Sequence, residues 1–304
     1  MQLRVANFIL QLDEDLAELI QTNPRFTSYM HLFESGSPAP GLPRLMLRRS
    51  VRPLPLAAEP AVYQTDAGYP LKVYKTSSAW YHARHYHPRV PPLVYGYQRV
   101  DEGERRAVLA EAWNILDYHQ VCLDFLHLET GHLFARMVLD EGGLVLHAVV
   151  MRWRGRAILF SAASGTGKTT QAGLWRQAED VDIINGDRAL CTRSEGNWTV
   201  HGQPWCGSSQ QCLNTSAPLG AIVLLEQAGV NVAERLSPFD AVLGLLPRVF
   251  APPWDPASLD KVLTALDSIT EQVPVLRLRC RPDLDAVHTL KRELDSLLFG
   301  RTPG

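Results

Sequence analysis

The apolar run Ala157-Ile158-Leu159-Phe160 enters a stretch of small residues that ends in Gly167-Lys168-Thr169-Thr170. No other part of the chain restricts the local fold as tightly. A buried strand must give way within a few residues to a helix. Between them Ser164, Gly165, Thr166 and Gly167 leave backbone N–H groups free to curl around an anion at the helix N-terminus. Lys168 is then placed to reach the terminal phosphates of a nucleotide as a mobile point charge. The Thr169 hydroxyl is placed to bind the Mg²⁺ that travels with such a ligand, and Thr170 continues the first turn. The general pattern of these loops opens on glycine, whereas Ala162 stands here, and its Cβ disfavours left-handed backbone.

At 304 residues the chain can hold two domains of ordinary size. Its 30 Lys+Arg against 32 Asp+Glu leave no broad basic field, so no nucleic-acid partner is expected. The local basic run Arg44-Leu45-Met46-Leu47-Arg48-Arg49-Ser50 reads as a solvated strand edge. Five cysteines, with no C-x-x-C pair and no zinc-like spacing, suggest reduced thiols. Asp13 and Glu14 fall where a secretion signal would be basic and then apolar, and no apolar stretch approaches the ~20 residues of a membrane span. A cytoplasmic protein without a membrane partner is the expectation.

Residues 1–130 read as a β-rich N-terminal accessory or recognition domain with long loops. Its short candidate strands include Ala61-Val62-Tyr63-Gln64 and Leu71-Lys72-Val73-Tyr74. The cluster Trp80-Tyr81-His82-Ala83-Arg84-His85-Tyr86-His87 has two readings, a histidine metal site or a half-buried strand. Asp101-Glu102-Gly103-Glu104 carries a capping-box pattern followed by Val108, Leu109, Ala112, Ile115 and Leu116, which predicts a helix closing this part. Residues 131–304 read as a second domain. In it Leu144 to Met151 form a strand, residues 152–156 a hairpin turn, and residues 157–160 the strand that feeds the loop. Further strands are expected over 181–184, 197–200 and 221–226. Three helices then finish the chain. The second carries Leu259, Val262, Leu263, Leu266 and Ile269 on one face, the third Leu284, Val287, Leu290, Leu294 and Leu297.

Nucleotide chemistry next needs a carboxylate at the end of a neighbouring strand, to hold Mg²⁺ or to take a proton from an attacking hydroxyl. Asp187 closes the strand 181–184 through Asn185-Gly186 and is that candidate for both base and metal ligand. Asp182, inside the strand, reads as a surface residue. Over residues 140–240 the chain resembles the HPr kinase/phosphorylase superfamily, and more closely its HPr-kinase-related and phosphoenolpyruvate-carboxykinase-like kinases. His147 stands one hairpin before the loop, Lys168 and Thr169 match the loop's Lys and Ser, Asp187 matches the second Asp of an Asp-Asp pair, and Arg235 matches an arginine that follows Leu225-Glu226. Gly186 replaces the first Asp. The family's metal-binding glutamate has no counterpart near Val200-His201-Gly202. Its Gly-Leu-Gly segment is replaced by Gly202-Gln203-Pro204-Trp205-Cys206-Gly207-Ser208-Ser209, where Trp205 is either a stacking surface for a ligand or part of the core, and Ser208 or Ser209 could donate hydrogen bonds.

The resemblance implies an α/β fold, a P-loop phosphoenolpyruvate-carboxykinase-like kinase domain with a mixed sheet and covering helices. It implies ATP and Mg²⁺ as reactants, and a catalytic set of Asp187 as base, His147 supporting it, and Lys168 and Arg235 stabilising the transferring phosphoryl group. The acceptor would be a hydroxyl of a peptide, protein or small metabolite, and assembly into a homo-oligomer is implied as well. A different class of reading is a regulatory module that binds nucleotide without transferring it, favoured by the loss of the first Asp and of the metal glutamate. A carboxykinase reaction finds no residue pattern for oxaloacetate or a second metal.

Overall fold

The computed structural model describes residues 1–37, 40–52, 54, 60–66, 69–85, 92–102, 105–113 and 119–300. The chain is mixed α/β with two mixed sheets and divides into two compact units, Met1–Met137 and Val138–Gly304. Among the described residues no helix is long and apolar enough to cross a membrane.

The first unit comprises β1 (Gln2–Val5), β2 (Phe8–Leu12), α1 (Glu14–Gln21), α2 (Pro24–Met30), β3 (Arg44–Ser50), β4 (Tyr63–Thr65), β5 (Leu71–Lys75), β6 (Trp80–Arg84), β7 (Leu93–Glu102), β8 (Arg105–Trp113) and most of α3 (His119–Asp140). The strands form one eight-stranded sheet in the order β1-β2-β3-β8-β7-β6-β5-β4, parallel only at β2–β3 and β3–β8. The basic run is therefore β3, an inner strand and not an edge. Leu45 and Leu47 are buried on one face of it while Arg48 stays exposed, the alternation that a one-sided sheet imposes.

The helix expected from Asp101 does not form. Arg105–Trp113 is a strand whose register runs from Glu102↔Arg105 to Val94↔Trp113 against β7 and from Ala107 to Trp113 against β3. Two ladders outweigh a capping pattern that only local propensity supports; Gly103, Glu104, Ile115 and Leu116 lie outside the described residues. The helix of this region is α3, which the sequence hides. It is buried nearly all round, with Glu129, Thr130 and Arg136 buried as well as Leu123, Leu126, Leu133, Phe134, Met137 and Val138, and so lacks the stripe that marks an amphipathic helix.

His82 lies inside β6 and is buried, with Glu129, Arg136, Arg84 and His132 as its charged neighbours. Tyr86 and His87 lie outside the described residues, and among the described ones no group of three or more His, Cys, Asp or Glu converges as a metal site. Burial drives the His82 pKa down to about 4, against the pull of Glu129 and with the help of Arg136 and Arg84. The unfolded chain, with an ordinary histidine near 6.5, then binds more protons than the folded one between those values. Stability conferred by keeping His82 neutral is therefore whole above pH 6.5 and is lost as pH falls to about 4, on the order of 3 kcal/mol in all. Hydrogen exchange of β5 and β6 amides should show protection falling over that range in the wild type and holding steadier in a His82→Gln variant; equal slopes would contradict the assignment.

The second unit holds β9 (Leu144–Trp153), β10 (Arg156–Ser161), α4 (Lys168–Ala178), β11 (Val181–Asn185), β12 (Arg188–Ser194), β13 (Asn197–His201), β14 (Ser216–Gln227), β15 (Val232–Arg235), α5 (Pro238–Leu245), α6 (Pro256–Gln272), β16 (Val275–Cys280) and α7 (Leu284–Phe299). Its sheet runs β10-β9-β12-β13-β14-β16-β15 with β11 also on β9, and β10 pairs in parallel with β14. The pairing β10–β9–β12–β13–β14–β10 thus closes on itself. This closure is possible because β9 gives its first residues to β12 and its later ones to β10 and β11.

Alternate residues of each central strand enter different apolar layers. Leu146, Ala148, Val150, Ala157 and Leu159 pack with Ala241 and Leu245 of α5 and Val262, Leu266 and Ile269 of α6. Val149, Met151, Ile158 and Phe160 pack with Trp175 of α4 and Leu290 and Leu294 of α7. Burial on both faces explains why these strands read as continuous apolar runs. The closing helices follow the expected faces only in part, since Leu259, Leu263 and Leu284 stay exposed. Strand β16 between them, an alternation of Leu and Arg, was not expected from the sequence.

Candidate active site

β10 ends at Ser161, flanked on one side by β9 and on the other by β14. This placement sets every neighbour of the loop. The Ser161 hydroxyl donates to the His147 carbonyl at 2.8 Å, tying the first turn of the loop to β9. Ala162 is buried in the apolar layer and has no positive φ, so its Cβ obstructs nothing. Gly165 (φ 78°) and Gly167 (φ 111°) do take the left-handed region, and Gly167 caps α4. Ser164, Gly165, Thr169 and Thr170 are exposed and Thr166 half-buried. Lys168 folds back under the loop, where its Nζ donates to the carbonyls of Ala162 (3.1 Å) and Ala163 (3.3 Å). Burial lowers its pKa; Asp187 opposes that shift and Arg248 adds to it.

On the β9 flank, His147 Nε2 lies 3.4 Å from Asp187 Oδ1. The backbone repeats the contact, with Ala148 N–H donating to the Asp187 carbonyl at 2.9 Å. Asp187 is held by a turn that Asn185 organises. The buried Asn185 Oδ1 accepts from the N–H groups of Asp187 (2.9 Å) and Arg188 (2.8 Å), and its Nδ2 donates to the Gln203 carbonyl at 2.8 Å. Arg188 Nε sits 3.6 Å from Asp187 Oδ2. Burial works to raise the Asp187 pKa, but the bond to His147 and the charges of Arg188, His147 and Lys168 outweigh it and hold the carboxyl below its ordinary value. Asp182 is on the surface, paired with Arg152 at 2.5 Å.

The segment after β13 wraps the same turn. Gly202 passes so close to Leu213 that its own Cβ position would fall 1.7 Å from that carbonyl oxygen. A Cβ on Gly186 would fall 1.9 Å from Ser209 Oγ, so Ser209 fills the space in which a first acid of a pair would begin. Ser209 itself donates to the Cys206 carbonyl, and Ser208 is exposed. Gly207, at φ 61°, lies against the Asp187 carboxyl. Trp205 is 1 % exposed, which makes it core and removes it as a stacking surface.

The structure thus brings His147, Lys168 and Asp187 together and leaves Arg235 apart. Arg235 stands exposed at the end of β15, three strand positions from β10, or roughly 14 Å. Asn185, Arg188 and Gly207, which hold or touch Asp187, and Phe250, whose ring meets the His147 imidazole edge-on at 6.1 Å, were not read as site residues; nor was Arg248, two positions before Phe250. Asn185-Gly186-Asp187 carried a turn signal that could have found Asn185, whereas Arg248 and Phe250 arrive through long-range packing with no local sign.

On the β14 flank a cavity of about 630 Å³ opens beside the loop, lined by Gly165, Thr166, Gly167, Thr170, Gln227 and Arg281 among others. Gln227 Nε2 donates to the Thr166 carbonyl at 3.3 Å and joins the cavity wall to the loop.

No protein-family model matches the chain, and no curated protein matches it. Among solved structures it is similar to the Hpr(Ser) kinase/phosphatase from Coxiella burnetii, at 11% identity and a TM-score of 0.28, over 49% of this chain and 92% of that one. So loose a likeness carries neither a site nor an activity.

Proposed function

We propose that the second unit is a P-loop phosphotransferase of the phosphoenolpyruvate-carboxykinase-like kind, moving the γ-phosphoryl group of ATP to a hydroxyl of a peptide, protein or small metabolite. The observation that carries the reading is the Asp187 carboxyl 3.4 Å from His147, its pKa held down by His147, Arg188 and Lys168, beside a loop whose glycines take left-handed conformations before a helix. A base fixed next to a phosphate-binding loop is what hydroxyl phosphorylation requires, because this chemistry depends on positioning and charge stabilisation. The phosphates would lie over the N-terminus of α4, with the exposed Ser164, Gly165, Thr169 and Thr170 and the half-buried Thr166 and Gly167 around them. Lys168 would turn from the loop carbonyls to the phosphate oxygens. The cavity of about 630 Å³ is of the size that takes a nucleoside. Mg²⁺ fits the donor set, since the Thr169 hydroxyl and the Asp187 carboxylate are hard oxygen ligands and phosphate oxygens and waters complete its shell. When bound it would neutralise charge on the phosphates. Residues 1–130 are proposed as the recognition or accessory domain, and the protein as cytoplasmic, with assembly into a homo-oligomer open to test.

One observation favours the second reading, a module that holds nucleotide without transferring it. Ser209 occupies the space of a second carboxylate, so a single acid serves the site. Binding is common to both readings. Lys168→Ala is expected to weaken ATP affinity at saturating Mg²⁺ about 10–100-fold by calorimetry, the range of charge-assisted hydrogen bonds. An unchanged affinity would remove the loop from the account.

A further inference from the structure

The chain that follows α5 is held against β9 at the site. After a short 3-10 turn, Leu246–Arg248, Val249 forms an isolated bridge with Leu146 and Phe250 N–H donates to the Val145 carbonyl at 2.8 Å. The Phe250 ring then meets the His147 imidazole edge-on, with centroids 6.1 Å apart, and carries the Arg188 guanidinium 4.2 Å from its centroid. Arg248 is therefore delivered beside His147 by two backbone contacts and an aromatic anchor, and not by a free loop. Its Nε is buried and makes no hydrogen bond among the described residues. No carboxylate there pairs with it either, although Lys168 is close enough to be disfavoured by its charge. Asp187 pairs with Arg188 and lies in the field of Lys168, whereas Arg248 is left without a carboxylate partner among the described residues. Such an excess of positive charge is relieved by an anion.

We propose that Arg248 is a catalytic residue of this site, its guanidinium binding the phosphoryl group in transit beside Lys168, in the role that the family resemblance implies for Arg235. The proposal rests on the phosphotransferase reading. In the step it serves, the acceptor hydroxyl oxygen forms a bond to the γ-phosphorus while the bond from that phosphorus to the β,γ-bridging oxygen breaks. The hydroxyl proton passes to Asp187, and the nucleoside diphosphate leaves with the bonding electrons. Charge on the equatorial oxygens during that exchange is what a planar fork of donors stabilises and a remote, exposed arginine does not.

The test compares full-length wild type with Arg248→Ala, Arg248→Lys, Arg235→Ala and Lys168→Ala. It reads ATP affinity by calorimetry and Mg²⁺-dependent ATP turnover, with water as acceptor where no other is known. Arg248→Ala should lower turnover about 1000-fold, as loss of a transition-state arginine does, and change ATP affinity less than about 10-fold. Added guanidinium should restore part of the rate, a result that a merely structural role would not give. Arg235→Ala should stay within about twofold, the effect of a solvated side chain. If the alanine variant fails to fold, Arg248→Lys, which keeps the charge and loses the fork, should still show the loss of turnover with affinity retained. Wild-type turnover in a folded Arg248 variant, with turnover lost in Lys168→Ala, would overturn the proposal and leave the phosphotransferase reading standing. No ATP binding by the wild type would overturn both.

Discussion

Asp187→Asn is expected to lower phosphoryl transfer by a factor of about 10²–10⁴, the usual contribution of a positioned general base, while ATP binding measured without Mg²⁺ stays near the wild-type value. The substitution preserves size, and the backbone bonds that seat the residue, from its N–H to Asn185 and from its carbonyl to Ala148 N–H, do not involve the side chain. What is lost is the group that can take a proton. The environment of the carboxyl makes the expectation sharper. His147, Arg188 and Lys168 together overcome the effect of burial and keep it ionised below the ordinary carboxylate range. A base with a lowered pKa remains competent as pH falls, so the wild-type acid limb due to Asp187 should lie below the ordinary carboxylate range. Steady-state kinetics alongside calorimetry would check both points, and an Asn variant with full turnover would show that the base lies elsewhere.

Gly207→Ala is expected to cost nearly as much without touching a polar group. An added Cβ would stand 2.7 Å from Asp187 Cγ and 3.0 Å from its Oδ1, at a residue already in the left-handed region at φ 61°. Backbone strain alone contributes about 1–2 kcal/mol of stability loss. The larger effect is on function, because the carboxyl must move off its line with His147, and a displacement of this order can lower turnover about 100-fold. Gly196→Ala is the matched control, with φ 83° and nothing within 4 Å of the added carbon. It should show the strain in its unfolding midpoint and keep the wild-type rate. Equal rates in both variants would mean that Gly207 does not position Asp187.

The passage from strand to loop to helix, and the turn that carries Asp187, were legible in the sequence because their information is local. An apolar strand, small residues, Lys168 and a helix start are contiguous, and Asn185-Gly186-Asp187 is a turn wherever it stands. The sequence failed where long-range pairing decides. Arg105–Trp113 has a helix-like start, yet it lies between β3 and β7 and its ladders fix it as a strand. α3 escaped notice because burial on all sides erased its period. The replacement of the first acid by Gly186 looked like a loss, and only the structure discloses that Ser209 fills its place. Arg235 was chosen by its place in a motif, whereas Arg248 is carried to β9 by a bridge between Val249 and Leu146, about a hundred residues apart in the chain.

The most direct test of the account is to incubate the full-length protein with γ-phosphorus-labelled ATP and Mg²⁺ against a panel of hydroxyl-bearing peptides and metabolites, and to follow the label. The account predicts that label passes to one acceptor class as a phosphoester, with transfer lost in Asp187→Asn. Tight nucleotide binding with no label transferred to any acceptor or to water would contradict it and favour the module that binds without transfer.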